Sequence, residues 1–151
     1  MIHGKSATKT YHSYAGMLGR CYNKNNHKYK DYGGRGIKVC KRWRGKSGFV
    51  NFLSDMGECP PDHSIDRYPD NNGNYSPSNC RWANARQQAN NRRSNILISL
   101  NGKTKTATQW SNYLKLKPAT VIMRYYRNPS ISDLTKYLGQ KLKEFQFAER
   151  L

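Results

Sequence analysis

Acidic residues are scarce in this chain of 151 residues, which has 9 Asp and Glu against 27 Lys and Arg and a formal net charge of +18. The chain also lacks a run of about eighteen apolar residues, so we expect no transmembrane helix and no membrane partner. Its first ten residues lack the apolar centre of a signal peptide, which predicts a cytoplasmic protein. Because such an excess of cations is most often used to neutralise phosphates, we expect the partner to be nucleic acid.

Cysteine pairs of the kind that bind zinc are also lacking. The four cysteines, Cys21, Cys40, Cys59 and Cys80, are spaced by 19, 19 and 21 residues, with no CxxC pair and no histidines at zinc-finger spacing. In a reducing compartment this pattern favours buried free thiols over a structural zinc site.

Basic residues are spread over the whole chain rather than concentrated in a tail. Residues 1–93 have 17 basic and 6 acidic residues (net +11), and residues 94–151 have 10 and 3 (net +7). We therefore expect both parts to contact the polyanion. The sequence predicts an α+β protein with a first domain at 1–93, a hairpin and a helix pair at 94–140, and a tail at 141–151 with the pattern of an amphipathic helix.

The first domain has alternating signals for helices, turns and short strands. Apolar spacing over residues 9–22 predicts an amphipathic helix, and the glycine-rich residues 32–40 predict a loop that enters a short strand. A second helix is predicted over 41–56. Residues 63–68 lie between two turn-forming segments and predict a short strand, after which the polar, basic residues 78–93 are compatible with a helix.

The second part of the chain opens with a hairpin signal, because Asn101-Gly102 lies between two short runs of β-forming residues. Apolar residues between 110 and 116 predict one helix, and Pro118 predicts the start of a second helix over 119–127. This spacing is typical of a helix-turn-helix, and an ordinary helical hairpin is the alternative.

Three polar positions in the first domain have a spacing that indicates chemistry. Asp66 and Arg67 end a predicted strand, Asn79 follows Asp66 by thirteen positions, and Gln88 follows Asn79 by nine. A strand, a hairpin and a helix would bring these positions to face one another. This is the layout of a ββα-metal nuclease site.

The stretch IDRYPDNNGNYSPSNCRWANARQQANNRR resembles the HNH (His-Me finger) homing endonucleases of phages. Their pattern has Asp-His at the end of the first strand, a central Asn before Leu-Arg-Trp, and a helical Asn or His nine residues later. The stretch NGKTKTATQWSNYLKLKPATVIMRYY resembles the helix-turn-helix module of such proteins. The resemblance extends over residues 11–138.

The resemblance implies roles for three residues and a cofactor. Asp66 would be a metal ligand, Gln88 the second ligand and Asn79 a brace of the loop. A single Mg²⁺ or Mn²⁺ would lie on the scissile phosphate, and the oxygen atoms of both ligands suit such a hard cation.

The departure from the family pattern lies at position 67, where the family has its general-base histidine. Arg67 stays protonated and cannot take a proton from water. Three explanations are open. His63 could replace the base, although four strand residues span roughly 13 Å. A metal-bound hydroxide could attack while Arg67 stabilises the phosphorane. Catalysis could instead be lost, with Arg67 gripping a backbone phosphate.

Basic and polar residues outside the motif are expected to contact DNA. The resemblance implies that the motif helix enters the minor groove. We expect the Asn-Gly hairpin to contact phosphates and the last helix to reach the major groove. A solvated basic face is the alternative for the motif helix. The expected contacts are Arg81, Arg86, Arg92, Arg93, Lys103, Lys105, Thr120, Arg124 and Arg127.

Together these features predict sequence-directed binding to double-stranded DNA with metal-dependent phosphodiester hydrolysis, either nicking or cutting. The alternative is a non-catalytic DNA-binding protein, a repressor or an architectural protein, and a third possibility is binding to structured RNA. One motif followed by one helix-turn-helix favours a monomer on an asymmetric site.

Overall fold

The computed structural model describes residues 7–149, and the predicted α+β class is confirmed by the helices and the two small antiparallel sheets of this range. The chain divides into two compact units, Met1–Asn91 and Arg92–Leu151. Two short parts of the chain lie outside the described range. They are residues 1–6, which belong to the segment considered as a signal peptide, and residues 150–151 of the predicted tail. Among residues 7–149, no helix is long and apolar enough to cross a membrane.

The first unit has the order helix, helix, strand, strand, helix. Its elements are α1 (Lys9–Tyr22), α2 (Gly48–Met56), β1 (His63–Arg67), β2 (Cys80–Asn84) and α3 (Ala85–Asn90). Strands β1 and β2 pair in antiparallel register, and single 3₁₀ turns lie at Tyr29–Asp31, Gly33–Arg35, Lys41–Trp43 and Pro77–Asn79. The predicted helix over 9–22 is confirmed, and the predicted strand over 63–68 is confirmed through Arg67.

One apolar core holds these elements of the first unit together. Helix α1 presents a buried stripe at helical spacing, and α2 and the connecting segments close over it. The core residues are Tyr14, Met17, Cys21, Ile37, Val39, Trp43, Phe49, Phe52 and Tyr75.

Three predictions for the first unit are wrong. Residues 37–40 form only an isolated bridge between Val39 and Tyr75 instead of a strand. Residues 41–47 are not α-helical: Lys41–Trp43 form a single 3₁₀ turn, and Gly45 has φ +76°, a conformation that breaks a helix and that glycine adopts without strain. Residues 80–84 form strand β2 because their backbone pairs with β1, which leaves only Ala85–Asn90 as helix.

The second unit contains the predicted hairpin, which is confirmed as β3 (Leu97–Leu100) and β4 (Lys103–Thr106). Asn101 and Gly102 have φ of 49° and 73°, as a tight turn between right-twisted strands requires. Three helices follow: α4 (Ala107–Tyr113), α5 (Pro118–Arg127) and α6 (Ile131–Ala148). Pro118 occupies the first turn of α5, as predicted.

Helix α6 runs across the predicted boundary between residues 140 and 141. Its apolar stripe, Leu134, Leu138 and Leu142, packs with Ile98, Leu100, Ala107, Trp110, Leu114 and Val121 in the core of the second unit. The predicted tail is therefore the second half of a packed helix, which begins ten residues before the predicted tail does, at Ile131.

Candidate functional site

Asp66 is paired with a cation across the β1–β2 sheet. The register places Asp66 opposite Arg81, and its Oδ2 accepts hydrogen bonds from Nε and Nη2 of Arg81, both at 3.2 Å. The guanidinium of Arg81 lies 3.7 Å from the ring centroid of Tyr68. The side chain of Asp66 is only 12% exposed, so this carboxylate is largely enclosed and its charge is compensated.

The amide that reaches Asp66 from the end of α3 belongs to Asn91. Its Nδ2 donates to Asp66 Oδ1 at 2.8 Å and to the backbone carbonyl of Arg67 at 2.7 Å. The side-chain amide of Asn71, in the loop between the strands, donates to the carbonyl of Asn91. Sequence reasoning missed Asn91, although it follows Gln88 by three positions and so projects from the same side of a helix.

Gln88, the predicted second ligand, does not make this contact. Its Nε2 donates to Ser64 Oγ at 2.6 Å and to the carbonyl of Ala83 at 2.8 Å. Ser64 and Asp66 are two positions apart on β1 and project from the same face. Gln88 therefore lies on the side of the sheet that carries Asp66, but its side chain ties α3 to the two strands.

Arg67 projects from the opposite face of β1 and is only 6% exposed. Its Nη1 donates to the carbonyl of Gly73 at 3.0 Å, and its guanidinium lies 4.9 Å and 5.1 Å from the ring centroids of Tyr32 and Tyr75. The predictions that Arg67 stabilises a phosphorane or grips a phosphate are not supported by this position. The side chain instead fixes the loop to the core.

Arg67 shares its two aromatic neighbours with a second guanidinium. Arg20 lies 5.1 Å from the Tyr32 ring centroid, and its Nη2 donates to the Tyr75 hydroxyl at 3.1 Å. Burial raises the pKa of Tyr75 to about 12, so its hydroxyl stays neutral at ordinary pH and carries no compensating charge. The two cations are therefore accommodated by aromatic faces rather than by a carboxylate.

His63, the alternative base, is separated from Asp66 by the sheet. It shares the strand face of Arg67, because residues 63 and 67 differ by an even number. Its Nδ1 lies 2.6 Å from the carbonyl of Pro61, which accepts a hydrogen bond and so fixes the ring proton on that nitrogen. The geometry does not bring His63 to the Asp66 carboxylate.

Asn79 lies where a brace of the loop would be needed. Its Oδ1 accepts from the backbone N–H of Asp70 at 2.8 Å, and its Nδ2 donates to the carbonyls of Asp70 and Asn74 at 2.8 and 2.9 Å. All three of these partner atoms belong to the loop between β1 and β2. A single amide therefore closes this loop from its end.

Oxygen donors suited to a hard cation are few around Asp66. In the described part of the chain, no three His, Cys, Asp or Glu side chains are grouped so that they could hold a metal ion. Mg²⁺ is usually bound by one or two carboxylates together with water. The single carboxylate of Asp66 could bind such an ion only if its ion pair with Arg81 were broken. Mg²⁺ or Mn²⁺ accordingly remains a proposal.

The four cysteines are free thiols in the structure. Burial raises the pKa of Cys21 and of Cys59, and it raises the pKa of Cys80 to about 12. These three thiols are therefore protonated at neutral pH and behave as small apolar side chains rather than as nucleophiles.

The basic residues predicted to contact DNA differ in their availability. Arg81 lies on strand β2 instead of the motif helix and is engaged by Asp66, which corrects its predicted place. Arg86 on α3 and the two arginines that follow this helix, Arg92 and Arg93, are exposed. These three remain free to contact a polyanion, and no described acid forms an ion pair with them.

On the hairpin of the second unit, Lys103 is exposed, whereas Lys105 is half-buried and its Nζ lies 5.7 Å from the Trp110 ring centroid. This stacking fixes the ammonium group of Lys105 beside the exposed Lys103. The pair borders a cavity of about 250 Å³ that is also lined by Trp110 and Tyr113.

Helix α5 presents a polar and basic face to solvent. Thr120, Arg124 and Arg127 are all exposed, while Val121 is fully buried and anchors the helix. The guanidinium of Arg124 lies 4.6 Å from the ring centroid of Tyr137 on α6. The three residues line an open cavity of about 570 Å³ between α5 and α6. Residues 118–127 include no acid, so nothing on α5 itself compensates this charge.

The chain matches no protein-family model, no curated protein and no solved structure. Its function is therefore inferred from the geometry of the two units.

Proposed function

We propose that this chain binds double-stranded DNA in a sequence-directed manner. The observation that carries the proposal is helix α5, which follows α4 after a short turn and exposes Thr120, Arg124 and Arg127 without any acid. The second helix of a helix-turn-helix enters the major groove and reads base edges with such side chains. Arginine forms bidentate hydrogen bonds with guanine, and threonine contacts the thymine methyl group.

The end of the first unit and the start of the second would add affinity through phosphate contacts. Arg86, Arg92 and Arg93 are exposed around the end of α3, and the whole chain has 18 more basic than acidic residues. So many positive charges on one chain repel one another, and binding to phosphates relieves this repulsion. Such contacts position a protein on DNA without reading sequence, so the second unit would supply specificity. The chain has one β1–β2–α3 motif and one helix pair α4–α5, which supports binding as a monomer to an asymmetric site.

The experiment is selection from random duplex DNA by the whole chain in the presence of EDTA, followed by sequencing. A shared motif among the bound molecules is the expected result. A control selection uses the variant in which Thr120, Arg124 and Arg127 are all replaced by alanine. This variant should still bind DNA but should return no motif. Absence of any enrichment with the unmodified chain would reject sequence-directed binding, and preference for RNA duplexes in competition would favour structured RNA.

A second candidate function is metal-dependent cleavage of DNA, as the resemblance to HNH endonucleases implies. The observation that favours it is the contact between Asp66 and Asn91, a carboxylate and an amide placed by two strands and the helix that follows. Bound Mg²⁺ or Mn²⁺ would polarise the scissile phosphate and supply the nucleophile. Asp66 would hold the ion, and Asn91 would orient the carboxylate. Because neither Arg67 nor His63 lies beside Asp66, cleavage would proceed without a neighbouring side-chain base.

Cleavage is tested with supercoiled plasmid carrying the selected site, incubated with Mg²⁺, with Mn²⁺ or with EDTA. Nicking that requires the metal and is abolished by Asp66→Asn would establish the activity. Asn90→Ala, a neighbour of Asn91 outside this contact, is the matched control and should leave nicking unchanged. Intact plasmid under conditions in which the site is bound would leave DNA binding as the function.

A further inference from the structure

We infer that residues 24–46 of the first unit form a separate surface that binds the phosphate backbone of DNA. This inference goes beyond the helix α5 contacts and rests on the proposed function for the identity of the polyanion. The segment contains nine Lys and Arg and one acid, Asp31. All nine cationic residues are exposed. We call this surface the 24–46 face.

Between residues 37 and 44, three apolar residues are buried and the cations between and beside them are exposed. Ile37, Val39 and Trp43 are buried in the core of the first unit, whereas Lys38 lies between the first two and is exposed. Lys41 and Arg44, on the two sides of Trp43, are exposed as well. Because the apolar side chains are held inward, the basic side chains are directed to solvent together.

Hydrogen bonds from two directions hold the backbone of the 24–46 face in place. The Tyr22 hydroxyl accepts from the N–H of Val39 at 2.9 Å. Lys38 donates its N–H to Asn74 Oδ1 at 2.8 Å, and its carbonyl accepts from Tyr75 N–H at 2.9 Å. A further bond joins Cys40 N–H to the Tyr75 carbonyl at 2.8 Å. A polyanion would thus meet a preformed surface, which lowers the entropy lost on binding.

Few of the cations on the 24–46 face form ion pairs within the protein. Arg42 is bound to Asp55 through two hydrogen bonds of 2.8 and 3.0 Å. It is the one cation of the nine that has an ion pair within residues 7–149. Eight exposed positive charges therefore remain on a segment of 23 residues. An external anion with many charges is the partner that fits them.

The density of charge favours DNA as that anion. Lys38, Lys41 and Arg44 lie within seven consecutive residues. One DNA strand carries a phosphate about every 3.4 Å along the helix axis. Arg35 Nη2 donates to Asn72 Oδ1 at 2.7 Å, so the 24–46 face adjoins the loop between β1 and β2. A membrane surface fits less well, because no large apolar side chain described in this segment is exposed for insertion into lipid.

The test compares two variants with equal loss of charge. Lys38, Lys41 and Arg44 are replaced by glutamine in the first variant. Lys9, Lys136 and Lys143, which are also exposed, are replaced in the control variant. Binding to a duplex of mixed sequence is measured by fluorescence anisotropy over a range of KCl concentrations. Competitors are duplex RNA of the same length and vesicles that contain phosphatidylserine.

The first variant should bind DNA about tenfold more weakly or worse at moderate salt. The negative slope of log K against log salt should become shallower by about 0.9 for each phosphate that the variant no longer neutralises. The control should keep the original slope. Equal slopes for both variants would overturn the inference and leave the proposed function intact. Failure of the unmodified chain to bind DNA would overturn the proposed function itself. Preferential loss of RNA or vesicle binding in the first variant would also overturn the assignment to DNA.

Discussion

Asp66 and Arg81 face each other across the β1–β2 pair, and Oδ2 of the carboxylate accepts two hydrogen bonds of 3.2 Å from one guanidinium. We expect Arg81→Met to lower the free energy of unfolding by about 1–2 kcal/mol, because it leaves a largely enclosed carboxylate without its cation. Urea denaturation followed by tryptophan fluorescence measures the change.

The matched control is Arg86→Met, at an exposed arginine of α3. It should change stability by about 0.5 kcal/mol or less. A double-mutant cycle with Asp66→Asn isolates the pair. Strictly additive effects of the two substitutions would show that the ion pair contributes nothing to folding.

Replacing Arg67 by histidine tests whether the base position of the HNH pattern is accessible in this fold. Since the Arg67 side chain lies in the core, the new imidazole should also point away from Asp66 and should not confer cleavage. The substitution should lower stability by about 1–3 kcal/mol, because the Gly73 carbonyl and two tyrosine rings lose their partner.

Plasmid nicking and urea denaturation on the same preparation measure both effects. Lys9→His, at an exposed position of α1 outside the 24–46 face, is the control for introducing a histidine. Nicking by a well-folded Arg67→His protein that is much faster than nicking by the unmodified chain would contradict the orientation of this side chain.

Local signals explain which elements the sequence predicts correctly. Helix α1, the Asn101-Gly102 hairpin and the start of α5 depend on side-chain periodicity, turn residues and a proline, all of which are encoded within a few positions. Strand β2 lies in a stretch that is mostly polar and basic, and its residues form a strand because their backbone pairs with β1. Non-local pairing of this kind leaves no periodic pattern in the sequence.

The site is predictable only in part for the same reason. Asp66 and Asn79 lie in a strand and a turn whose limits the sequence marks, and both make the polar contacts of the β1–β2 region. The placement of α3 against β1 decides that Asn91 rather than Gln88 contacts Asp66, and no local pattern in the sequence encodes that placement. Burial of Arg67 depends on tyrosines, one of which lies far away in sequence, and no local pattern marks such a contact.

Asn91 should be more important for stability than its neighbour Asn90. Asn91→Ala removes two hydrogen bonds and leaves the Arg67 carbonyl and Asp66 Oδ1 without these donors, so we expect a loss of about 1–3 kcal/mol. Asn90→Ala removes neither of these hydrogen bonds and is the control. Thermal unfolding by circular dichroism compares them. Similar melting temperatures for the two variants would contradict the assigned role of Asn91.

Asp55 should make stability depend on pH in the acidic range. Hydrogen bonds from Arg42 and from Trp43 lower the pKa of this carboxyl below its usual value of 3.8. A carboxyl with a lowered pKa in the folded state contributes stability above its unfolded pKa and loses it as the pH falls through the folded pKa. The difference in stability between the unmodified chain and Asp55→Asn should therefore be fully present at neutral pH and decline as the pH falls below about 4.

Urea denaturation at a series of pH values measures this difference. Asp62→Asn is the control, because Asp62 is exposed and forms no ion pair within residues 7–149. A constant difference between Asp55→Asn and the unmodified chain down to strongly acidic pH would contradict the linkage.

Arg124 should determine specificity at one position of the DNA site, because its guanidinium is exposed on α5 and stacked on Tyr137. Stacking restricts the rotamers of the side chain and, under the proposed function, would present the planar group for bidentate contact with guanine. Arg124→Ala should weaken binding to the selected site by about 1–3 kcal/mol and relax preference at one base pair.

Tyr137→Leu should have a smaller effect of the same kind, since it removes only the ring on which the Arg124 guanidinium stacks. Lys136→Ala, one residue before Tyr137 and exposed, is the control and should leave the preference at every base pair unchanged. Binding to a panel of single-base variants of the site separates these outcomes, and uniform weakening by Arg124→Ala would assign this residue to the phosphate backbone instead.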